Sequence, residues 1–237
     1  MSDNAMPESK NSIIPSGNSE LDSRMGGGIP AGSLVLIEGS SGAGKSVLSQ
    51  QVLWGALHNG FTASIFTSEN TVKSLSSQMQ SIDLDVLDFL LLSKLSIYPM
   101  ELARLGEHAP QALLQAMKRE TRRDVLVIDS FTAAINRDTS NRGILSFFEE
   151  CKRLCATSKT ILVVMHAQAI HTDLVSSIRS MCDVHLHLRT EQDGQRLVKT
   201  LEVAKVRGGA SVTGSIVGFE VEPGWGMRVI PISKARG

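Results

Sequence analysis

The residues Gly39-Ser40-Ser41-Gly42-Ala43-Gly44-Lys45-Ser46 have types and spacing that point directly at chemistry. They fit G-x-x-x-x-G-K-[ST], a loop that wraps an anion. Its glycines let successive backbone N–H groups converge on one phosphate, with no Cβ in the way. A helix opening at the loop adds unpaired N-terminal amides and a positive dipole end. Ser40, Ser41, Gly42, Ala43, Gly44 and Val47 would then surround the phosphates, and Lys45 would reach the β- and γ-phosphates. The Ser46 hydroxyl would sit on Mg²⁺. The pattern implies that the chain binds a nucleoside triphosphate with its metal.

Two acids are placed to join that loop. Asp129 ends the apolar run Val125-Leu126-Val127-Ile128, where a carboxylate can hold Mg²⁺, usually through its waters. Glu69 follows the strand-like run Thr62–Thr67, where a carboxylate beside the γ-phosphate can orient and deprotonate a water. A helix-entry acid favoured by the dipole is the alternative reading of Glu69.

Other charged residues are less specific. Lys205 and Arg207 lie two apart and so share a strand face, either as cations aimed at a ligand or as solvated edge charges. Arg137, Arg142 and Arg179 read as surface or interface charges. His185 and His187 share a strand face, and His166 and His171 are near each other in sequence. No third and fourth ligands stand at metal-site spacing, so no structural metal is expected.

These side chains need a scaffold, and the pattern of apolar residues supplies one. Leu34–Gly39 reads as a strand feeding the loop, and Leu48, Val52, Ala56 and Leu57 mark a helix ending at Asn59-Gly60. A helix capped by Asn70 carries Val72, Leu75 and Met79. Phe89–Leu95 reads as a strand, and Pro110 opens a helix carrying Leu113, Leu114 and Met117. Val125–Asp129 and Ile161–Met165 are continuous apolar runs of the kind found in buried parallel strands, with a helix through Ile144, Phe148, Cys151 and Cys155 between them. Asp183–Thr190 and Arg196–Arg207 flank Asp193-Gly194, a hairpin signal. Ile216–Val221 and Met227–Ile230 look like final strands. Gly17–Gly32 is a glycine-rich lead-in and Gln168–Ser176 a loop. The expected fold is α/β, a twisted and mostly parallel sheet flanked by helices with a C-terminal antiparallel extension. One domain over residues 13–237 is expected, behind a mobile polar tail over residues 1–12.

Composition narrows the function classes. Formal net charge is zero and aromatics make up 4% of the chain, which gives no bias toward nucleic acid. No apolar run approaches the roughly 20 residues that cross a bilayer, and the N-terminus lacks a secretion signal. Three cysteines, an odd number, fit a reducing cytoplasm, with Cys151 and Cys155 read as buried thiols.

A family resemblance then emerges. Leu21-Asp22 with Met25-Gly26-Gly27-Gly28-Ile29-Pro30-Ala31-Gly32-Ser33 before the phosphate loop resembles the entry of RecA/KaiC-type ATPases. Ser68-Glu69-Asn70-Thr71-Val72, Arg179-Ser180-Met181-Cys182-Asp183, Lys205-Val206-Arg207-Gly208 and Phe219–Arg228 narrow it to the FlaH family of the archaeal flagellum (archaellum) motor. The resemblance implies a RecA-like fold and ATP with Mg²⁺ as ligands. It also implies a homohexameric ring on the cytosolic face of the membrane, associated with the motor's secretion ATPase and membrane platform protein, without direct membrane insertion or a nucleic-acid partner. It assigns Lys205 and Arg207 to a neighbouring subunit's nucleotide. Where KaiC-type sites carry two adjacent glutamates this chain has Ser68-Glu69, which implies slow or absent hydrolysis. A RecA/RadA-like DNA-binding ATPase is the alternative on the same fold.

Overall fold

A computed structural model describes residues 12–135, 139–166, 170–193, 196–207 and 212–231. Residues 1–11 of the expected tail, Arg137, the start of the Gln168–Ser176 loop and Gly208–Gly209 lie outside the described residues. A sheet of nine strands, in the order β11-β10-β9-β8-β3-β7-β6-β4-β5, runs through the molecule. Its parallel part comprises β3 (Leu34–Gly39), β4 (Ala63–Thr67), β5 (Leu95–Pro99), β6 (Val125–Asp129), β7 (Thr160–Met165) and β8 (Val184–Asp193). Beyond β8 the strands β9 (Arg196–Val206), β10 (Ile216–Glu222) and β11 (Gly226–Ile230) pair antiparallel. A two-stranded antiparallel ribbon, β1 (Ile13–Ile14) with β2 (Ile29–Pro30), brackets α1 (Ser19–Arg24) before β3.

β3 shows why the sheet has two helical layers. Every residue of this strand is buried. Val35 and Ile37 face one apolar cluster with Leu48, Val52 and Leu53 of α2 (Lys45–His58). Leu34 and Leu36 face the other, with Phe148 of α6 (Asn141–Cys155) and Ile178 of α7 (Thr172–Met181). A strand buried on both faces favours a near-continuous apolar run, and Leu34-Val35-Leu36-Ile37 is that run. α3 (Val72–Ser81) and α4 (Leu87–Leu91) follow β4, and α5 (Ala109–Arg119) precedes β6.

Several expectations are corrected. Phe89–Leu95 is not a strand. α4 occupies Leu87–Leu91 and the strand starts at Leu95. Phe-Leu-Leu-Leu suits a helix or a strand equally, and short apolar runs carry no period to choose between them. Thr71 rather than Asn70 caps α3, accepting from the Ser74 N–H at 3.1 Å in a reciprocal capping box. Thr172–Ser176, expected in a loop, forms the first half of α7, and α1 lies within the expected lead-in loop. His171, the residue before α7, makes no side-chain cap hydrogen bond, so the helix lacks the usual capping signal. Cys151, Cys155 and Cys182 are buried, and burial pushes the Cys155 and Cys182 thiols up to about 12. Among the described residues no helix is long and apolar enough to cross a membrane.

Candidate functional site

The parallel strands β3, β4, β6 and β7 deliver Gly39, Thr67, Asp129 and Met165 to one edge of the sheet, and the phosphate-loop sequence turns there into α2. Two glycines make the turn possible. Gly44, the residue before α2, has φ 97°, a left-handed conformation that side chains disfavour. At Gly39 a Cβ would fall 2.3 Å from the Leu188 carbonyl oxygen, so only glycine lets β3 leave the sheet beside β8.

A cleft of about 270 Å³ opens at this turn, with Ser41, Gly42, Gly44, Lys45, Ser46 and Val47 among its lining. Glu69 and Asp129 line it from the ends of β4 and β6. Four of the residues singled out for chemistry in the sequence, Lys45, Ser46, Glu69 and Asp129, therefore meet in one place. Lys45 is buried and its ammonium donates to the Ser40 carbonyl at 2.6 Å. Burial pushes that ammonium down, with Asp129 and Glu69 opposing. The Ser46 hydroxyl donates to Asp129 Oδ1 at 3.1 Å. Burial pushes the Asp129 carboxyl up to about 6, against the Ser46 hydrogen bond, with the Glu69 charge adding to the rise. Around Glu69, the Thr67 hydroxyl accepts from the Glu69 and Asn70 N–H groups at 3.3 and 3.2 Å. The Ser68 hydroxyl accepts from the Ser130 N–H at 3.3 Å. These bonds join the loop after β4 to the end of β6.

This arrangement has the chemistry of a phosphate and metal site. A helix N-terminus and a buried lysine supply positive charge for an anion. A hydroxyl and a carboxylate form an oxygen pair suited to a hard cation. Asp129 is a test of fit: its carboxyl is buried and pushed toward its neutral form, a penalty that a divalent cation would remove. The residues present therefore fit Mg²⁺ with a nucleotide triphosphate.

Two further residues line the cleft, and sequence reasoning did not place them there. His166 follows β7 and Lys199 comes from β9. Burial pushes the His166 imidazole down, Lys45 reinforcing the effect and Glu69 opposing it. His166 directly follows a buried strand that is parallel to the loop strand, a signal that places it at the same edge. Lys199 carries no such signal, because the pairing of β9 with β8 and β10 decides its position.

Lys205 and Arg207 lie elsewhere. Val184, at the start of β8, pairs with Val35 on one side and Val206 on the other. The pair is thus at the opposite end of β3 from the loop, about 13 Å away at 3.3 Å per residue. Lys205 Nζ donates to the Arg179 and Ser180 carbonyls at 3.3 and 3.0 Å, and Arg207 lies 3.3 Å from Asp183. Both cations reach the α7–β8 junction and neither reaches its own phosphate loop. His185 and His187 form part of an ion cluster that the sequence reading missed. Glu38, buried in β3 just before the loop, contacts Arg179 at 2.5 and 3.1 Å and His185 at 3.0 Å. A carboxylate in an otherwise apolar buried strand is the signal that marks it.

Comparison with known proteins adds a second line of observation. A sequence profile of the ATPase family described as KaiC matches residues 14–234. The chain is 34% identical over 231 residues to the archaeal flagellar ATP-binding protein FlaH of Sulfolobus acidocaldarius, covering 94% of this chain and 99% of that one. The crystal structure of the flagellar accessory protein FlaH from Methanocaldococcus jannaschii superimposes with a TM-score of 0.78 at 26% identity, covering 93% of this chain and 99% of that one. A KaiC-like protein from Pyrococcus horikoshii shares the fold with a TM-score of 0.77 at 21% identity, over 92% and 99% of the two chains. The expected α/β fold, RecA-like with a mostly parallel sheet and an antiparallel extension, is the fold observed.

Proposed function

This chain belongs to the FlaH family of KaiC-type ATPases, and we propose that it is an ATP-binding regulatory subunit of the archaellum motor. The observation that carries this reading is the convergence of Lys45, Ser46, Glu69 and Asp129 on one cleft at the opening of α2. The loop amides from Ser40 to Val47 cradle the phosphates. Lys45 leaves the Ser40 carbonyl for the β- and γ-phosphates. Ser46 and Asp129 hold Mg²⁺, which neutralises charge on the phosphates. Glu69 is the one carboxylate placed to orient and deprotonate a water, with Ser68 where the related sites carry a second acid. Hydrolysis by the isolated protein is therefore slow or absent, and bound ATP acts as a structural signal.

Lys205 and Arg207 act between subunits. Their position at the far end of the sheet from their own loop supports this reading, because in a head-to-tail ring that end can face a neighbour's nucleotide. A guanidinium binds phosphate through two parallel hydrogen bonds, so ring closure would depend on the γ-phosphate. The ring, a homohexamer, sits on the cytosolic side of the membrane with the motor's secretion ATPase and platform protein.

Thermal melting alongside light scattering tests the proposal. With Mg·ATP at a hundred times its dissociation constant, wild type gains about 2.7 kcal/mol, about 5–10 °C in melting temperature at this chain length, and increases in mass toward a ring. Lys45→Ala loses both responses. Arg207→Ala keeps the melting shift and loses the mass change. An unchanged ATP response in Lys45→Ala would remove the loop as the site.

A further inference from the structure

At the end of α2 farthest from the phosphate loop, aromatic and apolar side chains reach the surface among carboxylates. Trp54 packs against His58 at a 38° tilt with ring centroids 3.9 Å apart, and His58 meets Phe89 of α4 edge-on at 4.8 Å. On one side of this ring cluster is a cleft of about 560 Å³ lined by both tryptophans of the chain, Trp54 and Trp225, together with Glu20 and Asp83. On the other side is α4, where Leu87, Leu91 and Leu92 are 44%, 82% and 66% exposed. The turn that carries Trp225, itself 76% exposed, is tied to α3 by the Gly224 N–H donating to the Ser81 carbonyl at 3.0 Å.

The core does not require these exposed groups. Ile82, Leu84 and Val86 turn inward and are buried, while Asp83, Asp85 and Asp88 are exposed between and after them. Asp85 accepts the Leu87 N–H at 3.0 Å and so fixes the start of α4. Glu20, Asp83, Asp85 and Asp88 form no ion pair with any described residue. Arg228 lines the cleft, Arg24 lies four residues after Glu20 on α1, and Lys94 follows α4. In a chain with zero net charge, four carboxylates thus gather around three exposed leucines and an exposed tryptophan.

We infer that this surface docks a basic amphipathic segment of a partner protein. Leucines at i and i+4 of a short helix, with an exposed indole beside them, accept the apolar face of such a segment. Lysine or arginine flanking that face meets the four carboxylates and can lie over the Trp225 ring. Charge around the rim sets orientation and association rate. The same acids repel an anionic lipid surface. The surface is separate from the phosphate loop, since α2 at 1.5 Å per residue spans about 20 Å between them.

The test uses the full chain and four probes: an amphipathic Leu/Lys peptide, its Leu/Glu counterpart, phosphatidylglycerol vesicles, and the protein alone at rising concentration. The Leu/Lys peptide shifts tryptophan emission to the blue and the Leu/Glu peptide does not. Trp225→Phe reduces the signal, leaving only what Trp54 contributes. Leu91→Ser with Leu92→Ser, and separately Asp83→Asn with Asp85→Asn and Asp88→Asn, each weaken Leu/Lys binding about tenfold, while the melting shift with ATP is kept. Added salt weakens binding. Equal binding of the two peptides, or variants that bind as wild type, would overturn the inference. So would vesicle binding that depends on Leu91 and Leu92, or self-association abolished by their replacement, which would assign the surface to lipid or to a second copy.

Discussion

Glu38 and Asp129 both stand near the ends of buried parallel strands beside the phosphate loop, yet their surroundings move them in opposite directions. Burial pushes Glu38 up, but His185 and Arg179 outweigh it and bring the carboxyl from 4.5 down to about 2. Burial pushes Asp129 from 3.8 up to about 6, and the Ser46 hydrogen bond and the Lys45 charge do not cancel it. Lys45 itself is turned onto the Ser40 carbonyl. A buried carboxylate with two cationic or protonatable partners is complete within the chain and belongs to the scaffold. One that burial drives toward neutrality lacks a cation, and its position beside a serine hydroxyl and a phosphate loop indicates which cation would complete it.

The largest expected effect comes from breaking the completed cluster. Arg179→Met leaves the Glu38 charge buried with only His185 and, at 4.0 Å, His187, and removing one partner of a buried pair costs about 3 kcal/mol when that partner is partly exposed. Melting should fall by about 6–12 °C, with the ATP-induced shift retained. Glu38 has a depressed folded-state pKa, so its contribution is complete above about 4.5 and disappears toward about 2. The gap between wild type and Arg179→Met therefore narrows across that interval. An unchanged melting temperature would show that the His185 and His187 imidazoles hold Glu38 without Arg179.

The opposite sign is expected at Asp129. Its folded-state pKa is raised, so its contribution is favourable below 3.8 and is lost as pH rises through about 6. At pH 7 and without nucleotide, Asp129→Asn should melt higher, by about 2 kcal/mol if most of the rise is realised at 1.4 kcal/mol per pH unit. It should also flatten the decline of wild-type stability between pH 4 and pH 7, and Mg²⁺ should no longer strengthen its response to ATP. A destabilised Asp129→Asn would place Asp129 with Glu38 in the scaffold. Ser46→Ala is the smallest test. Removing the hydroxyl that donates to Asp129 should cost the nucleotide-free protein about 1 kcal/mol while weakening the metal dependence of the ATP response.

Local residue order carried much of this site. Gly39–Ser46 states its loop within eight residues, and Asp129 closes an apolar run whose β-branched Val125, Val127 and Ile128 favour a strand. Continuous apolar strands and a helix at 3.6-residue spacing are written where they form, so the parallel half of the sheet was legible apart from β5. Where a run was short and apolar throughout, as at Phe89–Leu92, local order held no period and the helix was missed. Glu38 and Arg179 were separated by 141 residues, too far for either to announce the other. Lys205 and Arg207 were visible as neighbouring cations, but nothing local said which end of the sheet they would occupy.

By itself, then, the order of residues determined which groups exist and how the nearest ones are spaced: the loop, its lysine and serine, and two acids at strand ends. Strand pairing decided the rest. Parallel neighbours with aligned C-terminal ends brought Glu69, Asp129 and His166 to the loop, and the antiparallel extension added Lys199 there while carrying Lys205 and Arg207 to the far end. Burial, which depends on every layer packed around a side chain, then set Asp129 and Glu38 apart, because desolvation and the distance to a cation are properties of the folded chain and not of the residue.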